Sequence, residues 1–537
     1  MIKNIKYILW FFLFFLFFIL FNAWKNEKKI VDNLDLSYAE TNLNNVKSDG
    51  DIIFSQSFKE YDNTNEELIN ISTSLVDVKI NPLTGDFSNL VLKKYLNDIN
   101  GENGVVVLDK TDERFYYGQS GVISNQFYDK PVFDKKFLSN FSYEVKDDSS
   151  NVFVILKYEV GENIFLYKVY TFRSYSYEIG VDFYIQNNSS SDVFFKHYGL
   201  LRYKKDKTSS GILDSGIRSY EGGAVYTDSK PYKKISFDEL KEKNFSYTGV
   251  GGWIAFLERY FISAWIPDKD NEYIYIAEKV LDKIYSFKYL SFSDLKVNSN
   301  ECSHVYTTLF VGPKSNSFIN NLSKGLELSI DYGIFWPIAS PIFFLLSYIF
   351  SFIGNWGFSI VLITLIIKLM FFNLSSISYR SMGNMKKLQP RLELLKEQYK
   401  DDKTQFGNAV MNLYKKENVN PLSGCLPVLV QVPVFISLYY VLLESIELRH
   451  APFLFWINDL SSKDIYYILP VFMSLTMFIQ QKMNPPIQDQ FQAKVMMFLP
   501  VVFLFLFLQF PSGLILYWIV NNVLSILQQY VIVKNIL

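Results

Sequence analysis

Reactive side chains are scarce in this chain. Its 537 residues include two cysteines and three histidines. Cys302 and Cys425 fall in regions that hydropathy places on different sides of, or within, a membrane, so no disulfide framework follows. His197, His304 and His450 are scattered without the spacing of metal ligands. No Gly-rich phosphate loop, His-Glu-x-x-His pair or nucleophile elbow occurs. The sequence therefore carries no signature of a chemical active site, and neither a cofactor nor a metal is expected. A net charge of -1 argues against a broad nucleic-acid surface and against sequence-specific nucleic-acid binding. That balance hides a segregated basic block, described below.

Apolar residues are abundant: 49% of the chain is hydrophobic and 18% aromatic. The run 354–372 is about nineteen residues of nearly unbroken hydrocarbon, enough to cross a bilayer as one helix. Its one full charge is Lys368, a turn after Thr364 and on the same face. A lysine near the centre of such a helix costs roughly 2.5–3.5 kcal/mol on insertion scales. The surrounding Ile, Leu and Phe, at about 0.3–0.6 kcal/mol each, can carry that cost. Lys368 either snorkels to the inner headgroups or faces a wet, protein-lined cavity.

In chain order, segment 1–24 opens with Lys3 and Lys6 and continues as an aromatic-rich apolar run over 7–24. It lacks a small-residue cleavage site and reads as an uncleaved signal anchor with its N-terminus inside. Residues 25–67 are polar and read as a solvated tether. From 68 to 330 the pattern is that of strands, with alternating segments at 152–160, 164–172, 177–185 and 193–203. One large β-sandwich is expected, with Trp253, Tyr260, Phe261 and Trp265 in its core.

Segment 334–352 is apolar but contains Pro337 and Pro341 and leaves no loop before Gly354, which suits a helix lying in the membrane plane. A first full span in this half follows at 354–374. The basic block 375–420 has apolar residues every three or four positions on either side of a polar break at 400–403. It reads as a helical hairpin kinked by Pro390, on the cytoplasmic side. Lys386, Lys387, Arg391, Lys400 and Lys403, with Lys482 on the next inner loop, form its candidate partner surface. Further spans are expected at 424–446, 465–481, 494–510 and 514–533, giving six crossings and both termini inside.

Polar side chains recur at helical spacing inside these spans. Gln431 and Tyr439 lie on one, and Ser474, Thr476 and Gln480 on the next. The last carries Tyr517, Asn521, Ser525 and Gln528 along one face, beside Trp518 and Asn522. Singly, such groups are often interhelical glue worth about 0.6 kcal/mol. Lys368, however, has no Asp or Glu in the membrane core, since Glu444 and Glu447 sit near the outer end of a neighbouring span. An unpaired cation persists best where water reaches it. A groove open to the cytoplasm and closed outside would supply that water. A small-solute transporter or channel, with Lys368 binding an anion, is the alternative, although no inverted repeat is visible.

Four motifs carry a family resemblance: Gly354-Asn355-Trp356-Gly357-Phe358-Ser359, Asn420-Pro421-Leu422-Ser423-Gly424-Cys425-Leu426-Pro427, Gln431-Val432-Pro433-Val434-Phe435 and Phe510-Pro511-Ser512-Gly513-Leu514. They strongly resemble YidC, the bacterial membrane-protein insertase. Gly251-Gly252-Trp253, Ala264-Trp265-Ile266-Pro267 and 328–333 resemble its periplasmic domain in Gram-negative bacteria. The resemblance implies an α-helical integral membrane bundle of six transmembrane helices, five forming the insertase core, plus a large periplasmic β-super-sandwich. It implies a bacterial inner-membrane protein acting on nascent membrane proteins, alone or with the Sec translocon, and contacting the ribosome and the phospholipid bilayer. The family's charged groove residue is an arginine, and its position here holds Lys368: the charge is kept and the guanidinium fork is lost. Thr364 and Gln431 match other groove-lining positions, Tyr517 and Trp518 match aromatic substrate contacts, and Asn521 lies on the same face. The family's sandwich also resembles sugar-modifying folds, but His197 and His304 lack an identifiable carboxylate cluster for such chemistry.

Overall fold

The computed structural model describes residues 68–99, 101–111, 114–124, 141–148, 150–205, 219–229, 231–320, 322–399, 402–417, 419, 426–485 and 490–534. The expected signal anchor and tether, Lys400 and Cys425 lie outside these residues. The described chain divides into two units, at 68–330 and 331–534.

The first unit is a β-sandwich. Strands Asn151–Gly161, Ile164–Arg173 and Glu178–Asn187 follow one another antiparallel, and Glu178–Asn187 then pairs with Glu301–Pro313. Their alternation has the period of a half-buried strand. Val154, Leu156, Tyr158 and Val160 point inward while the residues between them stay partly exposed. These strands belong to a sheet that is nine-stranded among the described residues. The other sheet has ten, with Val193–Lys204 flanked by Phe115–Ile123 and Ile284–Ser291. Aromatic pairs bridge the two: Phe87 with Tyr170, Phe256 with Phe287, and Trp265 with Tyr289, at centroid separations of 5.2, 5.7 and 6.4 Å. Gly199 is required there, because a Cβ would lie 2.4 Å from Tyr289 and 2.7 Å from Trp265.

Trp253, Phe261 and Trp265 are core residues as expected, whereas Tyr260 is only half-buried, in the turn between two strands. Arg259 lies over its ring at 4.6 Å. The core also holds charge. Lys168 is fully buried and donates to the carbonyls of Gly85 (3.1 Å) and Ser120 (2.7 Å). Burial lowers its pKa to about 7.

The second unit is helical. Its elements are α1 (Trp336–Ile353), α2 (Trp356–Met370), α3 (Phe372–Lys387), α4 (Gln389–Gln398), α5 (Lys403–Lys416), α6 (Leu426–Glu444), α7 (Ile468–Met483), α8 (Gln490–Phe507) and α9 (Ser512–Lys534). Gly354 ends α1 in the left-handed conformation, φ 69°, which allows α2 to begin almost at once. Asn355 caps α2 by accepting from the Phe358 N–H at 3.1 Å. Helix α9 is the hub, packing on α2, α3, α6 and α7, while α1 packs on α2 and α6, and α8 on α7.

Gly333–Ile353 and Ser512–Lys534 are long and apolar enough to cross a membrane. Helices α2 and α3 make a third such run if taken together, bent by 68°, and Leu429–Glu444 and Ala493–Phe507 are shorter apolar helices. The length of α1 thus permits a crossing as well as the in-plane placement read from its prolines. The basic block also differs in detail from a two-helix hairpin. Pro390 opens α4 near its first position, where its missing N–H costs nothing, and so separates two helices instead of kinking one.

Candidate functional site

One end of the helical unit is closely packed, with apolar side chains around a few buried polar ones such as Ser437 and Glu444. At the end bearing the loop 445–467 and the turn 508–511, Ile360, Ile363, Leu438, Val441, Leu442, Leu460, Leu514 and Ile515 are all at most 1% exposed. Fully burying such side chains stabilises by about 1.5–3 kcal/mol each. The loop locks onto the helices here. The N–H groups of Ser512 and Gly513 donate to the Ser462 and Leu460 carbonyls at 2.7 and 2.9 Å. Gly357 lies so close to Phe453 that a Cβ would sit 2.0 Å from its ring.

One to two turns further from that end, the same helix faces become polar. Thr364 is 1% exposed and donates to its own helix, Oγ1 to the Ile360 carbonyl at 2.6 Å. Next on that face, half-buried Lys368 donates to Ser525 Oγ at 2.6 Å and reaches Asn521 Oδ1 at 3.4 Å, both on α9. Ser525 Oγ passes its own proton to the Asn521 carbonyl at 2.7 Å. Among the described residues, no carboxylate comes within ion-pair distance of Lys368. Both of these contacts are to neutral oxygens.

Gln431 and Tyr517 meet as well, Gln431 Nε2 donating to the Tyr517 hydroxyl at 3.1 Å. Trp518 stands edge-on to Phe435 at 4.7 Å and packs beside Phe507 at 5.3 Å. Its indole N–H is buried without an acceptor among the described residues. Further along α9, Gln528 Nε2 donates to the Phe372 carbonyl at 3.1 Å. A second polar stripe faces α7: Asn522 Nδ2 donates to Thr476 Oγ1 at 3.0 Å, and Gln529 Nε2 to Asn484 Oδ1 at 3.1 Å.

Sequence reading gathered Lys368, Thr364, Gln431, Tyr517, Trp518 and Asn521, and the structure brings Lys368 to Asn521 and Gln431 to Tyr517. Ser525, the nearest partner of Lys368, lies on the same α9 face and outside that set. Its i,i+4 relation to Asn521 was the signal available. The outward faces are greasy: Leu362, Leu365 and Leu369 on α2, and Phe498, Val502 and Phe505 on α8, are exposed.

The basic set is more dispersed. Lys386 and Lys387 close α3, and Lys482 lies in the last turn of α7 with its ammonium 4.7 Å over the Phe478 ring. Arg391 is engaged, pairing with Glu417 at 2.6 Å across the α4–α5 pair. Lys403 begins α5.

Two family models together match nearly all the described chain: the YidC periplasmic domain over residues 68–345 and the 60Kd inner membrane protein over 348–537. Curated relatives agree. The membrane protein insertase YidC of Azotobacter vinelandii is 41% identical over 476 residues, 88% of this chain and 85% of its own length. The chain belongs to the YidC family of membrane protein insertases. The YidC of Pseudomonas fluorescens is also 41% identical, over 479 residues. The crystal structure of an active YidC insertase aligns over 87% of this chain and 93% of its own, at 20% identity and a TM-score of 0.42. Membership makes the protein an inner-membrane insertase with a periplasmic domain, not an enzyme.

Proposed function

We propose that the polar stretch around Lys368 is the substrate groove, through which polar and often acidic segments of nascent membrane proteins begin to cross. In this reading six helices span the inner membrane with both termini cytoplasmic, and five of them form the core. The end sealed by Gly357, Phe453 and Gly513 faces the periplasm, and the groove opens to the cytoplasm and to lipid. Thr364, Gln431, Tyr517, Trp518 and Asn521 line it with Lys368. The observation that carries the reading is a lysine held by Ser525 and Asn521 with no carboxylate beside it among the described residues. Its charge stays available to an incoming acid.

No nucleotide is needed. A hydrated groove shortens the hydrocarbon that a polar tail must cross. Burial of the substrate's apolar span, about 0.8 kcal/mol per methylene, then drives release into lipid past the greasy faces of α2 and α8. The inner basic residues Lys386, Lys387, Arg391, Lys400, Lys403 and Lys482 meet the ribosome, and the chain works alone or beside the Sec translocon. Insertion assays in a depletion strain test the reading. Lys368→Arg is expected to preserve insertion, and Lys368→Glu to impair acidic-tailed substrates most. Equal insertion by both variants and the wild type would remove the charge from the mechanism.

A further inference from the structure

Helices α2 and α3 meet at 68° across Phe371. The joint is irregular: Phe371 has φ -92° and ψ 10°, and its N–H is shared between the Ile367 and Leu369 carbonyls. Residues 368–376 contain neither proline nor glycine, and the local contact at the joint is Ser376 Oγ on the carbonyl one turn back, a back-bond that bends helices only slightly. Sharp kinks without proline are traced to Gly/Ser pairs, to π-bulges, or to a side chain or water that enters the hydrogen-bond ladder. From outside the run, Gln528 of α9 reaches the first carbonyl after the joint.

Gln528 Nε2 donates to the Phe372 carbonyl at 3.1 Å and reaches Ser376 Oγ at 3.3 Å. Ser376 Oγ donates to the same carbonyl at 2.8 Å. The amide is buried, and its Oε1 has no donor among the described residues. A leucine would fill this position without stranding an acceptor, so packing alone does not account for a glutamine. One turn away on the same stripe, Ser525 and Asn521 hold Lys368, three residues before the joint. Helix α9 therefore grips the bent run on both sides of its corner.

We infer that Gln528 is a positioning residue for insertion: its amide fixes the α2–α3 angle and thereby keeps Lys368 aimed into the groove. The inference rests on the reading of Lys368 as the substrate-facing cation. It also links the basic helices to the groove, because α3 leads directly into α4 and any swing of α3 works against the Gln528 clamp.

The test uses the full chain with Cys302→Ser and Cys425→Ser and spin labels at exposed Leu365 of α2 and Ile377 of α3. Gln528→Met keeps length and removes the donor. Gln528→Asn keeps the amide but withdraws it from Phe372, and it serves if the methionine variant does not accumulate. Either change is expected to broaden the interspin distance distribution. Each is also expected to lower the ratio of acidic-tailed to neutral-tailed insertion on the order of fivefold, the factor matching one lost hydrogen bond. An unchanged distribution overturns the inference whatever happens to insertion. A broadened distribution with an unchanged ratio, while Lys368→Gln lowers that ratio, overturns the inference and leaves the groove reading intact. If Lys368→Gln leaves the ratio unchanged too, the groove reading falls and takes the inference with it.

Discussion

Lys368 on α2 and Ser525 on α9 lie 157 residues apart in sequence and 2.6 Å apart in space. The serine hydroxyl accepts from the ammonium and donates to the Asn521 carbonyl, so the cation is oriented without being neutralised. A carboxylate in place of Ser525 would satisfy the lysine and close the site to an incoming acid. The hydroxyl leaves one charge unspent.

Ser525→Ala removes the shorter of the two contacts and leaves Asn521 at 3.4 Å. Hydrogen bonds to a charged group contribute about 1.5–3 kcal/mol. The variant is expected to insert acidic-tailed substrates less well than wild type but better than Lys368→Gln, with neutral-tailed substrates unaffected. Pulse-labelled insertion of paired substrates measures the order.

Gly357→Ala is expected to loosen the sealed end. The added Cβ would overlap the Phe453 ring, and overpacking of this kind costs about 1–3 kcal/mol. Thermal unfolding of the purified protein should shift down, and Phe453→Ala in the same chain should recover part of the loss. A double variant no more stable than Gly357→Ala would place the strain elsewhere.

Tyr517→Phe keeps the ring and removes the acceptor of Gln431, leaving the Gln431 amide without that partner. A stranded donor of this kind costs about 1–3 kcal/mol. Gln431→Leu in the Tyr517→Phe background is expected to restore stability, since both ends of the pair are then apolar. A double-mutant cycle in detergent reads the coupling directly.

In the sandwich, Lys168 has a folded pKa of about 7 against an ordinary value of 10.5. Between those values the unfolded chain holds the proton and the folded one does not, so stability rises with pH across the window. The penalty is fully present below about pH 7. From pH 7 to pH 9 the relief amounts to roughly 2 kcal/mol. Lys168→Met removes the contacts to the Gly85 and Ser120 carbonyls at every pH, the Gly85 carbonyl keeping the Tyr170 hydroxyl, but it also removes this slope. The melting-temperature difference between wild type and variant should therefore move in favour of the wild type as pH rises. A pH-independent difference would mean that the buried lysine stays charged.

Much of this molecule could be read before it was seen, for reasons that are local. The strands Asn151–Gly161 and Ile164–Arg173 show their period of two because one face is buried and the other is not. The polar face of α9 shows itself through the spacing of Tyr517, Asn521, Ser525 and Gln528. What stayed hidden depends on residues far apart in the chain. The α2–α3 bend has no proline or glycine to announce it and is clamped from α9. The Gly357–Phe453 contact and the Arg391–Glu417 pair join separate segments. Asn522 and Gln529 look like neighbours of the Lys368 set but turn toward α7 instead. Tyr260 has the type of a core residue, while its position in a turn leaves it half-buried.

The most direct test of the hydrated groove is the reactivity of single cysteines toward a charged, water-borne maleimide in membranes, with Cys302 and Cys425 replaced by serine. Only a thiolate reacts, and a thiolate forms where water reaches it. Cysteines at Lys368 and Asn521 are expected to label at rates comparable to an exposed position in the loop 445–467, while cysteines at the outward-facing Leu362 and Leu369 remain unlabelled. A cysteine at Lys368 as inert as one at Leu362 would mean that the lysine sits in oil or is packed dry, and the groove account would be wrong.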